Sequence, residues 1–447
     1  MHSARLWARA VTGRRWAAAV AGGAVVGVAA AGVASSAPAA KTQNEVPFAK
    51  HKVVLGAWPI WGGRANNDPR TASLAALVRH CKDAGYDGAE LSIGDIQATF
   101  YNSSVPISQV VAEAKAVAPR GFFTGGTYHI VDGNGSPYEG LANTDETRPI
   151  LDWNKPGYWQ DLRAALSADV EIGAHYASFQ IFLPPQYMNT GGEYRNDDAY
   201  LTLCARRIEQ LQSLCFELGL NFYVETHIDR LSEDLEAFGK IMGKCNAYFE
   251  LNADLSHYFY RGITQGTLLD KIWPRVGHMH ARLARQHGDL SADVPDPVAD
   301  WEAKGVTYQA FEYYKPALEG GLSSRVIMGE SGPMHEVKDS VGLDAKLVPL
   351  WRAMAAYADA HSGAGAGPAF RGGASGGAGS NTSSSSSSFS PEEAERVLAA
   401  HFAATGPAFR GGDSGSAGGA GSTSSSSYSP EEAERVLAAH FAAIDRR

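Results

Sequence analysis

Between Lys52 and Ala358 the chain alternates, eight times, a short β-rich apolar run with a helical stretch. The runs are Val53–Pro59, Gly88–Ile93, Phe122–Ile130, Tyr176–Leu183, Phe222–Ile228, Tyr248–Asn252, Gly277–Leu283 and Arg325–Glu330. The intervening helical patterns include Arg70–Ala84, Asp198–Leu218, Ser232–Lys244 and Trp301–Leu318, with Ala345–Ala358 after the last run. Strands joined through helices run parallel, and a parallel sheet is covered on both faces, which is why its strands read as unbroken apolar runs. Eight such units are the number that closes a (β/α)8 barrel. An open doubly wound sheet commonly carries a Gly-rich first turn, and Trp58-Pro59-Ile60-Trp61-Gly62-Gly63 has no G-x-G-x-x-G. The expected fold is therefore an α/β barrel over residues 45–361.

Neither end reads as part of that barrel. Residues 1–44 hold five basic residues and no acid, and Trp16–Val33 is an uncharged Ala/Gly/Val run that leads to Ala37-Pro38-Ala39. This is the layout of an export signal peptide with an A-x-A cleavage site. The Arg14-Arg15 pair raises a twin-arginine signal, an acid-free Arg-bearing leader also suits organellar import, and the run is long enough for a retained membrane anchor. Export (periplasmic or beyond), organelle and anchor stay open.

Residues 362–447 contain a tandem duplication. Gly367-Pro368-Ala369-Phe370-Arg371-Gly372-Gly373 returns 39 residues later at Gly406, and Ser390-Pro391-Glu392-Glu393 returns at Ser429. Each unit joins a Gly/Ser linker, too polar to order itself, to a short capped helix. In that helix Ser390 is suited to the N-cap, Pro391 to the first position and Glu393 to a capping box. Two such helices on flexible tethers suit a bivalent docking tag for a protein partner, and a neutral duplication of a disordered tail accounts for them equally.

The formal charge of −9 divides into +5 over residues 1–44, −2 over 362–447 and −12 over 45–361. A barrel carrying −12 is a poor partner for a phosphate backbone, so no nucleic-acid partner is expected. The four cysteines, Cys81, Cys204, Cys215 and Cys245, form no CxxC pair. Cys204 and Cys215 fall on one helix, roughly 16 Å apart at 1.5 Å per residue, too far to bridge. Buried thiols are expected.

Chemistry in such barrels sits at the carboxyl ends of the strands. The first four ends offer few ligands: Trp58 and Trp61, Ser92 and Asp95, Tyr128 and His129, Phe182. The last four are rich in them. Strand five ends Val224-Glu225-Thr226-His227, with Glu225 and His227 on one face by two-residue periodicity. Strand six ends Asn252-Ala253-Asp254-Leu255-Ser256-His257, strand seven carries His278-Met279-His280-Ala281-Arg282 with Arg285 behind it, and strand eight ends Gly329-Glu330. Glu225, Asp254, His280 and Glu330 come from successive strands and can converge on one point. Oxygen and imidazole donors together suit one divalent ion, Mn²⁺, Mg²⁺, Co²⁺ or Zn²⁺, and such an ion removes the repulsion of buried acids. His278 lies deeper on the same face and reads as a packed residue. His227 reads as a substrate contact or a support for the ligands, and Trp58, Trp61, Tyr128 and Phe182 as an apolar wall against a sugar, or equally as core.

The run Glu225, Asp254-x-x-His257, His278-x-His280 and Glu330 resembles the xylose isomerase-like TIM barrels of sugar isomerases and epimerases, over roughly residues 50–360. The resemblance to the ketose 3-epimerase and hydroxypyruvate isomerase branches implies Glu225, Asp254, His280 and Glu330 as metal ligands. It implies His257 and Arg285 as substrate contacts, with Arg282 competing for the arginine's place, and it leaves room for a homo-oligomer. Endonuclease IV, the DNA-repair branch, needs further histidines. Here Ser92-Ile93-Gly94-Asp95 supplies none, and Asp293-Val294-Pro295 has proline where one should stand. The implied activity is isomerisation or epimerisation of a sugar or polyol, with Glu225 and Glu330 as paired acid and base and an enediolate held by the ion. A dehydratase or lyase on the same site and a non-catalytic scaffold with a docking tail are the alternatives. The insert Asp132–Asn154 is expected to form a lid.

Overall fold

The computed structural model describes residues 43–44, 49–101, 104–131, 151–152, 157–183, 187, 193–227, 230–254, 256–260, 272–283, 298, 301, 306–330 and 339–362. Residues 1–42, the duplicated tail beyond Ser362, Arg285 and nearly all of the expected lid lie outside the described residues. Gln43 and Asn44, read as the end of the leader, are bonded to the barrel through Phe222 O (2.9 Å) and Asn221 Oδ1 (2.6 Å).

One all-parallel sheet organises the barrel. Its strands are β1 (Lys52–Leu55), β2 (Gly88–Ala89), β3 (Gly125–Val131), β4 (Leu151–Asp152), β5 (Tyr176–Ile181), β6 (Asn221–Thr226), β7 (Glu250–Ala253), β8 (Val276–Arg282) and β9 (Val326–Glu330). They lie in the order β2-β1-β9-β8-β7-β6-β5-β3-β4. A parallel bridge between Ala89 and Phe123 closes the ring, with Ala89 N–H donating to Phe122 O (3.0 Å) and Thr124 N–H to Ala89 O (3.2 Å). The strand β4, not foreseen in the sequence, pairs only with the far end of β3. The other eight strands are the expected ones. Closure depends on two bare backbones: a Cβ on Gly88 would strike the Phe122 carbonyl, and one on Gly126 the Ser92 backbone nitrogen.

The helices that cover the sheet are α1 (Ala57–Ala65), α2 (Leu74–Ala84), α3 (Ile93–Phe100), α4 (Ile107–Val117), α5 (Tyr158–Ile172), α6 (Asp198–Glu217), α7 (Leu235–Lys244), α8 (Ser256–Tyr260), α9 (Val306–Gly320) and α10 (Ser340–Ser362). Side chains cap many of them. Ser73 accepts from Ala76 N–H at α2, Asp197 from Tyr200 N–H at α6, and Asp234 from Glu236 and Ala237 N–H at α7. None of the described helices is long and apolar enough to cross a membrane.

Two strand boundaries differ from the sequence reading. Strand one stops at Leu55, and Trp58, Pro59, Ile60 and Trp61 belong to α1, where a proline is tolerated in the first turn. Strand two stops at Ala89, and Ser92 and Asp95 form a reciprocal capping box on α3. Those two residues therefore hold a helix end and not a reaction site.

Alternation along each strand sorts side chains into two environments. Outward residues join the helices in the main apolar core, which includes Val53, Leu55, Phe179, Phe222, Leu251, Met279 and Ile327. Inward residues begin at the amino end with a separate apolar floor of Val54, Tyr176, Tyr223, Val326 and Met328. Tyr128 faces outward: its ring stacks on Phe179 (5.7 Å) and its hydroxyl donates to Asp169 on α5, so it is no part of a sugar-binding wall. No disulfide joins the four cysteines, of which Cys81, Cys204 and Cys215 are buried and Cys245 half-buried.

Asp169 ties three elements together, accepting from Tyr128 of β3 and from Ile93 N–H at the start of α3 (2.6 Å). Burial pushes its carboxyl up to about 7, although both donors pull the other way. A carboxyl raised in the folded state favours folding below its unfolded value and loses that contribution as pH climbs through the folded one. Denaturant unfolding between about pH 4 and 7 is expected to show a stability decline, on the order of a few kcal/mol, that Asp169→Asn flattens. An identical pH slope in wild type and variant would contradict this role.

Candidate metal centre

The carboxyl ends of β6, β7, β8 and β9 stand side by side in the sheet and bring Glu225, Asp254, His280 and Glu330 to one mouth, all buried. Local bonds fix each. Behind β6, Ser232 Oγ accepts from His227 N–H and donates to Glu225 O (both 2.9 Å), which sets the turn that presents Glu225 and His227. Gln180 of β5 donates to Glu225 Oε1 (2.7 Å), and Thr127 of β3 to Glu225 Oε2 (3.2 Å). Past β7, Ser256 Oγ donates to Asp254 Oδ1 (2.5 Å), and His257 Nε2 lies 3.0 Å from Asp254 Oδ2. A register shift between β7 and β8 at Leu251/Asn252 sets Asn252 beside His278. His278 and His280, two residues apart on β8, thus both face the interior.

One donor atom each from Glu225, Asp254 and His280 fall within 4.8 Å of one another. His280 Nδ1 is 3.4 Å from Glu225 Oε1, and two donors bound to one ion at ordinary lengths stand about 3–3.5 Å apart. Glu330, at the end of β9, does not belong to that group of donors and is held differently. It is the register partner of Arg282, whose Nη1 lies 3.6 Å from Glu330 Oε1 and 3.6 Å from Asp254 Oδ2. Arg282, which competes with Arg285 for the arginine's place, thus stands at this mouth, and Arg285 lies outside the described residues.

Glu90, which follows β2, is a residue that the sequence reading missed. The expectation that the first four strand ends carry few ligands fails at this position. The Glu90 carboxylate sits 2.9 Å from His280 Nε2 and 3.0 Å from His278 Nε2, and accepts from Tyr176 OH (2.6 Å). His278, deep in the barrel as expected, uses its other nitrogen on Ser324 Oγ (3.0 Å). Glu90 escaped notice because the strand was read as running to Ile93, which put its end at Ser92 and Asp95. Gln180 escaped for a related reason, since an amide inside a strand carries no charge signature. Its Oε1 accepts from Arg230 Nε (3.1 Å), and that guanidinium covers the Phe182 ring at 3.5 Å, so this ring face is taken.

The electrostatics follow from burial and proximity. Burial would raise Glu90, but His280 and His278 overcome it and hold the carboxyl well below the usual range. Burial would lower His280, yet Glu90 and Glu225 keep it well above the ordinary imidazole value. Asp254, though buried, is drawn down by His257, Arg282 and His280. Glu330 goes the other way: burial, helped by the charge of Asp254 and opposed by Arg282, pushes it up to about 7. Such crowding of acids around imidazoles and oxygen donors is the environment a divalent cation relieves, and the donor set fits one.

Of the other expected residues, His257 and His227 meet at the mouth with ring centroids 3.7 Å apart. Trp58 stands on α1, edge-on to Trp61 at 5.5 Å, and Trp61 donates to Thr99 Oγ1 (3.1 Å). His129 packs on Phe182 at 5.7 Å.

No protein-family model and no curated protein matches the chain. Among solved structures it is similar to 3-keto-D-glucoside 4-epimerase from E. coli (15% identity, 68% of this chain and 99% of that one, TM-score 0.40). It is also similar to the probable 3-DHS dehydratase involved in petrobactin synthesis from Bacillus anthracis (13%, 67% and 98%, 0.43). A third is a xylose isomerase-like TIM barrel protein from Mycobacterium smegmatis in complex with magnesium (13%, 68% and 97%, 0.38). These are likenesses of backbone path; the barrel here rests on its own strand order and the site on its own side chains.

Proposed function

We propose that this barrel is a metal-dependent isomerase or epimerase of a sugar or polyol, with Glu225, Asp254, His280 and Glu330 as the residues that hold one divalent ion. The observation that carries the reading is the convergence of Glu225, Asp254 and His280 donor atoms within 4.8 Å at adjoining strand ends. When bound, such an ion supplies a positive charge against which a carbonyl and its neighbouring hydroxyl are polarised. Glu225 and Glu330, on β6 and β9, flank Asp254 and His280. In this reading one carboxylate takes the proton from the carbon next to the carbonyl, and the other returns a proton at the opposite face. Gln180 and Thr127 hold Glu225 in place for that transfer. Glu90, 2.9 Å from His280 Nε2, would make Nδ1 the nitrogen that serves as a ligand, as carboxylates do when they orient metal-binding imidazoles. His257 and His227 contact the substrate.

Elemental mass spectrometry on the purified chain is expected to find about one divalent ion, lost in Asp254→Ala, and chelation should raise susceptibility to thermal unfolding. With keto-sugars in D₂O, deuterium should enter the carbon beside the carbonyl. Loss of water from the substrate instead would turn the assignment to a dehydratase, because both reactions begin with the same proton removal.

Glu330→Gln is expected to keep the ion and lose about 10²–10⁴-fold in turnover; full turnover in a metal-loaded variant would falsify the paired-carboxylate role. Glu90→Gln should weaken metal binding about 10–100-fold in a competition titration, while circular dichroism stays that of wild type. Unchanged affinity would reduce Glu90 to a packing residue.

A further inference from the structure

A second group of metal-type donors lies beside the first. One donor atom each from His227, Asp254 and His257 fall within 4.8 Å of one another. Two imidazoles and a carboxylate are a set that zinc, cobalt or manganese accepts, and Asp254 belongs to both groups, as the bridging carboxylate of a two-metal site does. By donor chemistry alone these two groups, sharing Asp254, match what a pair of ions would need.

A guanidinium stands in the way. Arg282 Nη1 lies 3.4 Å from His257 Nε2, 3.6 Å from Asp254 Oδ2 and 3.6 Å from Glu330 Oε1. Its backbone is pinned by register with Glu330 and by Tyr314, whose hydroxyl accepts from Arg282 N–H (3.2 Å) and donates to His280 O (3.1 Å). Only 15% of its side chain is exposed. An arginine is always charged and presents a rigid fork of N–H donors, so it neither titrates away nor ligates.

We infer that Arg282 is a resident cation standing where a second metal ion would otherwise be held by His227, Asp254 and His257. The centre is thereby limited to one ion, and the substrate meets guanidinium N–H donors in place of the second. The inference rests on the metal reading of the same mouth. Its chemical consequence is selective. A second ion would bind and acidify a water, which serves hydrolysis, whereas a guanidinium only donates hydrogen bonds to an oxygen that carries or gains negative charge. Arg282 therefore suits proton transfer beside a carbonyl, and an enolate-like or carboxylate oxygen as the group it meets.

The test is a count of ions. The full chain is stripped with a chelator, loaded with Co²⁺, dialysed and measured for cobalt per chain, with folding checked by circular dichroism. Wild type and Arg282→Lys should hold about one equivalent, and Arg282→Met and Arg282→Gln about two, with a gain in Co²⁺ visible absorption from the imidazole-rich site. Adding His227→Ala to Arg282→Met should return the count to about one. Folded Met and Gln variants that stay at one equivalent, or a wild type that takes two, would overturn the inference. A wild type that takes none overturns the metal reading itself, which separates the two failures.

Discussion

Four carboxylates, those of Glu90, Glu225, Asp254 and Glu330, are buried inside one barrel, and the arrangement of its interior follows from the need to compensate them. A buried ionised acid without a partner is among the least tolerable features a core can contain. The chain answers with graded partners. Glu90 has two imidazoles and a phenol, Asp254 has His257 and the guanidinium of Arg282, and Glu225 has Gln180, Thr127 and one side of His280. Glu330 is the least well served, sharing Arg282 with Asp254, and its raised carboxyl reflects that.

This compensation explains why the barrel has two unlike cores. Apolar packing is delegated to the outer layer, between strands and helices, and to a small floor around Tyr176 and Tyr223. Above the floor the interior is polar, although barrels more often fill it with branched aliphatics. The rigidity that aliphatic packing would give comes instead from directed bonds, such as Asn252 Nδ2 to Ser178 Oγ at 2.9 Å, and from helices held by capping residues.

The fold was legible because double burial makes parallel strands read as apolar runs, and all eight survive in the structure. The ligand-rich ends were legible for a related reason: Glu225, Asp254, His280 and Glu330 are charged residues at the boundary of apolar runs. Boundaries themselves were not. Strand one gave way to a helix at Gly56, and strand two to Glu90, because tertiary contacts decide where a strand stops: a Cβ at Gly56 would meet the Met328 side chain. For Tyr128 the sequence left wall and core open, and the structure places it in the core, since a shift of one residue turns a side chain from the mouth to the helical layer. Arg230 covering Phe182 is a contact between elements far apart in sequence, which periodicity cannot reveal.

Following the polar contacts along the barrel axis, Ser324 Oγ meets His278, His278 meets Glu90, Glu90 meets His280, and His280 meets Glu225. Each link joins polar side chains, so an unbroken line of polar contacts runs from the closed end of the barrel to its open one. Charge placed at the mouth repolarises that line of bonds down to the base, where β9 begins. Ser324, which also accepts from Val326 N–H (3.1 Å), thus sits at one end of a polar line whose other end is the mouth.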